Sequence, residues 1–386
     1  MARSRVLLVV TTSLLLVGLA KPTASRAVVR SCGGWSVVAS PNEGEAASLQ
    51  AVAAVTSNDV WAVGVSQNRT RVRGLTEHWN GSEWSIVPSW HPQQHSELRG
   101  VAAAASDDVW AVGFRLPVGP NYQTFAEHWN GRAWSRVPTP NLAGIHNYLT
   151  AATAVSSTDV WAVGFTQAAH ASTEKTLIER WEGSAWSIVD SPNPGPNLDE
   201  NELLAVDAVA ADDVWAVGFY EDQAHVGYHP LVEHRDGSSW SVVTATDADV
   251  NNILYSVAAV SGSDLWAVGE SYDINPGSTL IEHWNGSVWS IVPSPAPGSS
   301  SVLQGVAANS SGDVWALGGT ADVGIFPTDT LAEHWNGSTW SVVATPSLPD
   351  SNDFFNGAAA ISSANVWGVG VTQPLNDLTL TEHDCP

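Results

Sequence analysis

The sequence predicts an all-β fold, a seven-bladed β-propeller with four antiparallel strands per blade. Three observations predict it. The string D-V-W-A-V-G, or a close variant, places Trp at 61, 110, 161, 215, 266, 315 and 367, spaced by 49, 51, 54, 51, 49 and 52 residues. Twelve residues before each Trp lies a large apolar residue, Leu49, Leu98, Leu149, Leu203, Leu254, Leu303 or Phe355, so the register holds without insertion between the two. The two ends of the chain also read as complementary parts of one unit. A unit of about 50 residues that encodes only short strands is the signature of a propeller blade. An open solenoid would need polar caps, and neither end carries one.

Each unit reads in the same order. The first strand, L-x-G/A-V-A-A-V, is rich in Ala and Gly and suits the crowded position nearest the axis. A tight S-S-x-D turn leads to the second strand, V-W-A-V-G. After a variable loop comes the third, T-L-I-E-H-W, and an N-G-S turn then leads to the fourth, W-S-I-V-P. Asn-Gly between apolar runs is a hairpin signal, because both residues tolerate positive φ. Strands of about four to six residues are expected. The Trp side chains suit the wedges between blades, where each removes about 150–250 Å² from water, a gross gain of roughly 4–6 kcal/mol.

Two charged features recur with the strands. Asp59, Asp108, Asp159, Asp213, Asp264 and Asp313, with Asn365 in the seventh copy, are expected to accept backbone hydrogen bonds within their turns. His78, His128, His234, His283, His334 and His383 each follow a Glu on the third strand. Residues present once per blade are spread around a ring and cannot converge on one centre, so Glu-His reads as scaffold.

The ends explain one another. The chain stops at TEHDCP, after the third strand of the seventh unit, while CGGWSVVASP from Cys32 aligns with NGSEWSIVPS, Trp35 taking the place of Trp84. The N-terminal strand is therefore expected to form the outer strand of the last blade, which removes a free edge. The alignment places Cys385 at the Asn80 position and Cys32 at the Gly81 position, predicting a disulfide between these two cysteines, which are the chain's full complement. Residues 1–27 combine Arg3 and Arg5, an apolar run from Val6 to Ala20 and small residues before Ala27. This reads as a secretory signal peptide, since the run is shorter than the roughly 20 residues of a membrane span. Residues 28–386 then form one propeller domain, outside the cytoplasm, where a disulfide is stable.

Charge narrows the partners. The sequence has 15 basic and 39 acidic residues; four of the basic ones lie in the signal, leaving a net charge of −28. That excludes nucleic acid and anionic membrane as expected partners. No cofactor motif is present, and a monomer is expected.

The blade pattern, V-W-A-V-G followed by E-H-W-N-G-S-x-W, resembles the kelch-type repeat of galactose-oxidase-like propellers and also the tectonin repeat. It departs from kelch in lacking paired glycines except at Gly318 and Gly319, and from tectonin in its longer loops. Galactose oxidase chemistry would imply a copper centre with a Tyr–Cys crosslink, yet both cysteines sit at the chain ends. Sialidase chemistry would need clustered Arg, and the few here are scattered. A glycosidase needs two carboxylates at a set separation, which sequence alone does not place.

In a propeller the second-to-third and fourth-to-first connections open on one face, and here these are the variable ones. Variable loops on a rigid scaffold are where binding residues gather. Trp90, His91, His95, Tyr122, His146, His170, Tyr220, His225, Tyr228, His229 and Tyr272 lie in them, with Tyr148 and Tyr255 at loop ends and Asp199, Glu200, Glu202 and Asp222 nearby. The candidate ligand-binding set is Trp90, His95, Tyr122, Tyr148, Asp222, His225, Tyr228, His229 and Tyr272. Asp222, His225 and His229 also offer three metal ligands, but at a spacing without the regularity of a metal motif. The sequence thus points to a non-enzymatic binding protein for an extracellular carbohydrate or surface protein. The alternatives are a polysaccharide hydrolase or lyase using acidic loop residues, and a structural envelope protein. The sequons at Asn68, Asn80, Asn285, Asn309 and Asn336 fall mostly in repeat turns.

Overall fold

A computed structural model of the chain describes residues 34–90, 95–168, 173–194, 200–222, 227–273, 277–321, 328–346, 348, 351–373 and 377–385. These form seven four-stranded antiparallel sheets, each a blade. Blade 1 runs through Ala46–Thr56, Asp59–Asn68, Arg71–Trp79 and Trp84–Ile86 from the axis outward, and blades 2 to 6 repeat this order. In blade 7 the outer position is taken by Gly34–Val37, which pairs with Leu378–Cys385 in the register Trp35↔Asp384 and Gly34↔Cys385. That is the expected closure. The first strands of neighbouring blades touch in one unbroken ring around the axis. Among the described residues no helix is long and apolar enough to cross a membrane.

The core lies between blades. Trp61 and Val63 of blade 1 pack on Leu98, Val109, Phe125 and Trp134 of blade 2, and Trp367 and Val369 of blade 7 close the ring on Leu49, Leu75, Trp79 and Trp84. The second-strand Trp residues are almost completely buried, which accounts for their strict spacing.

The repeat Asp and His join each other. Asp59 does not serve its turn; its Oδ1 meets His78 Nε2 at 2.8 Å, and the imidazole stacks on Trp61 with centroids 4.3 Å apart. The same Asp–His pair recurs in blades 2, 4, 5 and 6 at 2.7–2.8 Å, and Asn365 meets His383 in blade 7. In blade 3 Arg180 takes the histidine's place, donating twice to Asp159 at 2.8 and 3.0 Å and lying over the Trp161 ring. The expectation of backbone capping is corrected: the carboxylate meets a side chain of the third strand, His78, which is itself paired in register with Trp61.

The Glu before each His is fully buried. Glu77, Glu127, Glu179, Glu233, Glu282, Glu333 and Glu382 all have 0 % exposure. Some receive a donor from just beyond the preceding blade's outer strand: Trp90 N–H to Glu127 at 2.7 Å, Ser191 Oγ to Glu233 at 2.9 Å, Thr246 N–H to Glu282 at 3.1 Å. Glu77 and Glu382 have no hydrogen-bond partner for either oxygen. Burial raises every one of these carboxyls, to about 8 for Glu127, Glu179, Glu233 and Glu333 and about 7 for Glu282.

Two local expectations change. The N-G-S connection is a four-residue loop between the paired Trp79 and Trp84, in which Asn80 Oδ1 accepts from the N–H of Ser82 and Glu83 and Gly81 alone takes positive φ, at 90°. The inner strands are also longer than expected, 10 to 12 residues. The apolar consensus marks only the half wedged between blades. The other half runs on to the variable-loop face.

Candidate functional site: the mouth of the central channel

Every inner strand breaks its register twice, once just before its closing turn and once in mid-strand, and the mid-strand break serves the cavity. The ladder skips Gln50, Arg99, Thr150, Leu204, Tyr255, Gln304 and Asn356, each the residue after the large apolar position. A bulge leaves its extra residue unpaired and re-aims the side chain, and all seven line one central cavity of about 1580 Å³. The glycine of V-W-A-V-G makes room for this bend. A Cβ on Gly64 would stand 2.0 Å from the Ser48 carbonyl, and one on Gly164 2.1 Å from that of Tyr148. A fixed glycine thus supports a ring of seven positions at which no blade is bound to match the next.

The mouth is uneven. Blades 6, 7 and 1 present Gln304, Phe354, Asn356, Val371, Ser48 and Gln50, of which Asn356 Nδ2 donates to the Leu49 carbonyl at 2.8 Å. Blades 2 and 3 form an aromatic wall. Tyr148 lies 4.9 Å from both Phe114 and Phe165 and 5.5 Å from Tyr122, and His95 and His146 flank Tyr122 at 5.6 Å each. Tyr122 is held in place by its own N–H, which donates to His146 Nδ1 at 3.0 Å.

Under this wall Glu97 accepts from Arg99 Nη2 and lies 2.7 Å from His95 Nε2, while Arg99 Nη1 donates to Gln50 at 3.1 Å. Burial pushes the Glu97 carboxyl up, but the Arg99 charge and the His95 hydrogen bond outweigh it and hold it below its usual range.

Blades 3 to 5 bring together carboxyls and tyrosines. Glu202 is 3 % exposed; its carboxyl is raised by burial, by a hydrogen bond to Glu174, and by the charges of Glu174 and Glu200. Gln167 Nε2 donates to Glu174. Tyr228 Oη donates to Glu200 at 3.3 Å and packs edge-on to Phe219, and Tyr255 Oη donates to Glu270 at 2.8 Å. Among the described residues Arg99 is the one Lys or Arg that lines this cavity, and no group of three or more His, Cys, Asp or Glu is placed to hold a metal ion.

Of the residues the sequence singles out, the structure gathers His95, Tyr122, Tyr148, Tyr228 and Tyr255 at the mouth, with Glu200 and Glu202. Trp90 stands apart, half-exposed over Phe125 at 5.5 Å with Arg136 above its ring. His229 turns outward, its Nδ1 3.0 Å from Asp247 and its ring stacked on Tyr220. Tyr272 pairs with Asn251 at the start of an inner strand and does not line the cavity, although it stands close enough to Glu270 for that charge to raise its hydroxyl. Asp222 ends the second strand of blade 4 opposite Gly227; its side chain lies outside the described residues, as do His225, His91, His170, Asp199 and Cys32. Sequence reasoning missed Arg99, Glu174 and Glu270. For Arg99 the signal was there: the x of L-x-G/A differs in type in nearly every blade although the strand around it hardly changes.

No family model and no curated protein matches the chain. Solved structures do. A structure titled YCF48 bound to D1 peptide is similar with a TM-score of 0.57 and 14 % identity, covering 94 % of this chain and 100 % of that one. A GH74 xyloglucanase from Xanthomonas campestris aligns at 0.52 and 14 %, over 87 % of this chain and 53 % of that one. The PL25 ulvan lyase aligns at 0.54 and 9 %, over 87 % and 94 %. At these identities the likeness shows the propeller fold alone, and the kelch-like and tectonin-like character of the blades rests on their pattern.

Proposed function

We propose that this is a secreted, non-enzymatic carbohydrate-binding propeller that holds its ligand at the channel mouth. The observation that carries the reading is the pairing, in one cavity, of an aromatic wall with the amide, hydroxyl and guanidinium groups of the bulges and the carboxyls of Glu174, Glu200, Glu202 and Glu270 beside them. Concave sites of this kind bury a ligand against rings and fix it through a few placed polar groups. Three of the similar structures belong to proteins whose titles name carbohydrate, the xyloglucanase, the ulvan lyase and a sialidase from Trypanosoma rangeli in complex with sialic acid, and the peptide of the YCF48 complex supplies the competing ligand class. Secretion rests on residues 1–27, which lie outside the described residues.

Titration calorimetry against a panel of oligosaccharides tests the reading. Tyr148→Ala and Tyr122→Ala are expected to weaken binding at least about tenfold, a loss of about 1.4 kcal/mol. Trp90→Ala and His229→Ala, both away from the cavity, should leave it unchanged. Binding indifferent to Tyr122 and Tyr148 would sink the proposal. The hydrogen-bonded Glu174–Glu202 pair, in which burial raises Glu202, supports a second reading, polysaccharide cleavage, since a buried carboxyl that holds its proton is what general acid catalysis uses. Product release from a polysaccharide that Glu202→Gln abolishes would replace binding by turnover.

A further inference from the structure

The acidic half of the mouth asks for a ligand with a particular charge. Glu174, Glu200, Glu202 and Glu270 all line the cavity, and its single guanidinium, Arg99, is already committed to Glu97 and Gln50. Glu202 is the telling residue. It is 3 % exposed, it borders the cavity, and its Oε2 has no hydrogen-bond partner. A buried carboxyl oxygen left without a partner costs free energy in the empty site that a suitable donor recovers.

Around it stand Tyr148, Phe219, Tyr228 and Tyr255, whose ring faces attract a cation as well as a sugar ring. A metal ion does not suit the place, because the carboxyls are not gathered to a common point. A hydroxyl would satisfy one oxygen but leave the negative charge of the cluster in place. An ammonium group does both.

We propose that the mouth recognises a free amine, so that its saccharide is an amino sugar carrying unacetylated amino groups, with the ring on the Tyr122–Tyr148 wall and the ammonium at Glu202. The inference rests on the carbohydrate reading above. In calorimetry at about 0.15 M salt and about pH 6, where the amine is protonated, a glucosamine hexamer binds the full chain at least about tenfold more tightly than cellohexaose. The N-acetylated hexamer shows no such gain.

Glu202→Gln removes the gain, so that the glucosamine hexamer binds no more tightly than cellohexaose. Glu83→Gln, an exposed turn position on the opposite face, keeps it, which separates the site from general attraction to an acidic protein. Should Glu202→Gln fail to fold, Glu200→Gln is read in its place with the same expectation. Equal affinity for the glucosamine and cello hexamers, or a gain that survives both carboxyl variants, overturns the amine inference and leaves carbohydrate binding standing. Binding of a lysine-rich peptide with none of any glycan overturns both.

Discussion

Acidification from about pH 8 to about pH 5 should stabilise this protein, against the usual habit of acidic proteins with paired carboxylates. The cause is the ring of seven fully buried Glu residues between blades. Burial raises Glu127, Glu179, Glu233 and Glu333 from the ordinary 4.5 to about 8 and Glu282 to about 7, and raises Glu77 and Glu382 as well. The folded state then binds more protons than the unfolded chain between these values. Stability is fully present below about 4.5 and is lost as pH rises through 7 to 8.

A shift from 4.5 to about 8 corresponds to about 5 kcal/mol per carboxyl if nothing relaxes. Water entry and local adjustment return most of that, and about 1 kcal/mol each leaves roughly 7 kcal/mol around the ring. For a chain of this size the entropy of unfolding converts 1 kcal/mol into about 1–2 °C. Calorimetric melting at constant ionic strength should therefore give a Tm about 7–14 °C higher near pH 5 than near pH 8. Glu97, held low by Arg99 and His95, opposes this as a single group. Glu233→Gln should raise Tm near pH 8 by about 1–2 °C and flatten the profile by one residue's share. A Tm that is flat or climbs from pH 5 to pH 8 would refute the argument.

Three further outcomes follow from single sites. Arg180→Ala removes both hydrogen bonds to Asp159 and the cation over Trp161, a loss of about 2–3 kcal/mol in denaturant unfolding, whereas Arg180→His restores the pairing of the other blades and should cost under about 1 kcal/mol; equal losses would show that the Asp–His–Trp stack is idle. Gly164→Ala sets a Cβ 2.1 Å from the Tyr148 carbonyl, so the bulge must move; a loss of at least about 1–3 kcal/mol is expected, with weakened ligand binding because Tyr148 moves too. For the bridge, Cys385 stands opposite Gly34 in the closing ladder, two residues along the chain from Cys32. A thiol assay on the oxidised protein should find none free, and reduction should lower stability by up to about 5–6 kcal/mol; two free thiols would end that proposal.

Legibility followed the repeat. The Trp spacing made the blades, their number and the ring closure readable, because each Trp fills the same wedge between one blade and the next. The Asp–His pair was visible as residues but not as a pair, since the pairing needs the register between second and third strands. The buried Glu could not be told from a surface Glu, because its neighbours in the alternating strand look the same whichever face is covered.

The functional mouth was hardest to read, and for a physical reason. A consensus reports what every blade must do, which is to pack, whereas a ligand is held by what one blade does and its neighbours do not. Gln50, Arg99, Thr150, Leu204, Tyr255, Gln304 and Asn356 occupy equivalent bulges, so the backbone imposes the same direction on seven side chains of six kinds. Variation in the loops carries little information, since nothing constrains those positions. Variation at a position held by a glycine behind it carries much more, and it sets Arg99, Thr150, Leu204 and Tyr255 of blades 2 to 5 apart from the amides Gln304, Asn356 and Gln50 of blades 6, 7 and 1. Exchanging Tyr255 and Gln304 between their blades tests this directly: equivalent bulges should accept either residue with little change in Tm, while ligand affinity should fall because the chemistry has moved around the ring.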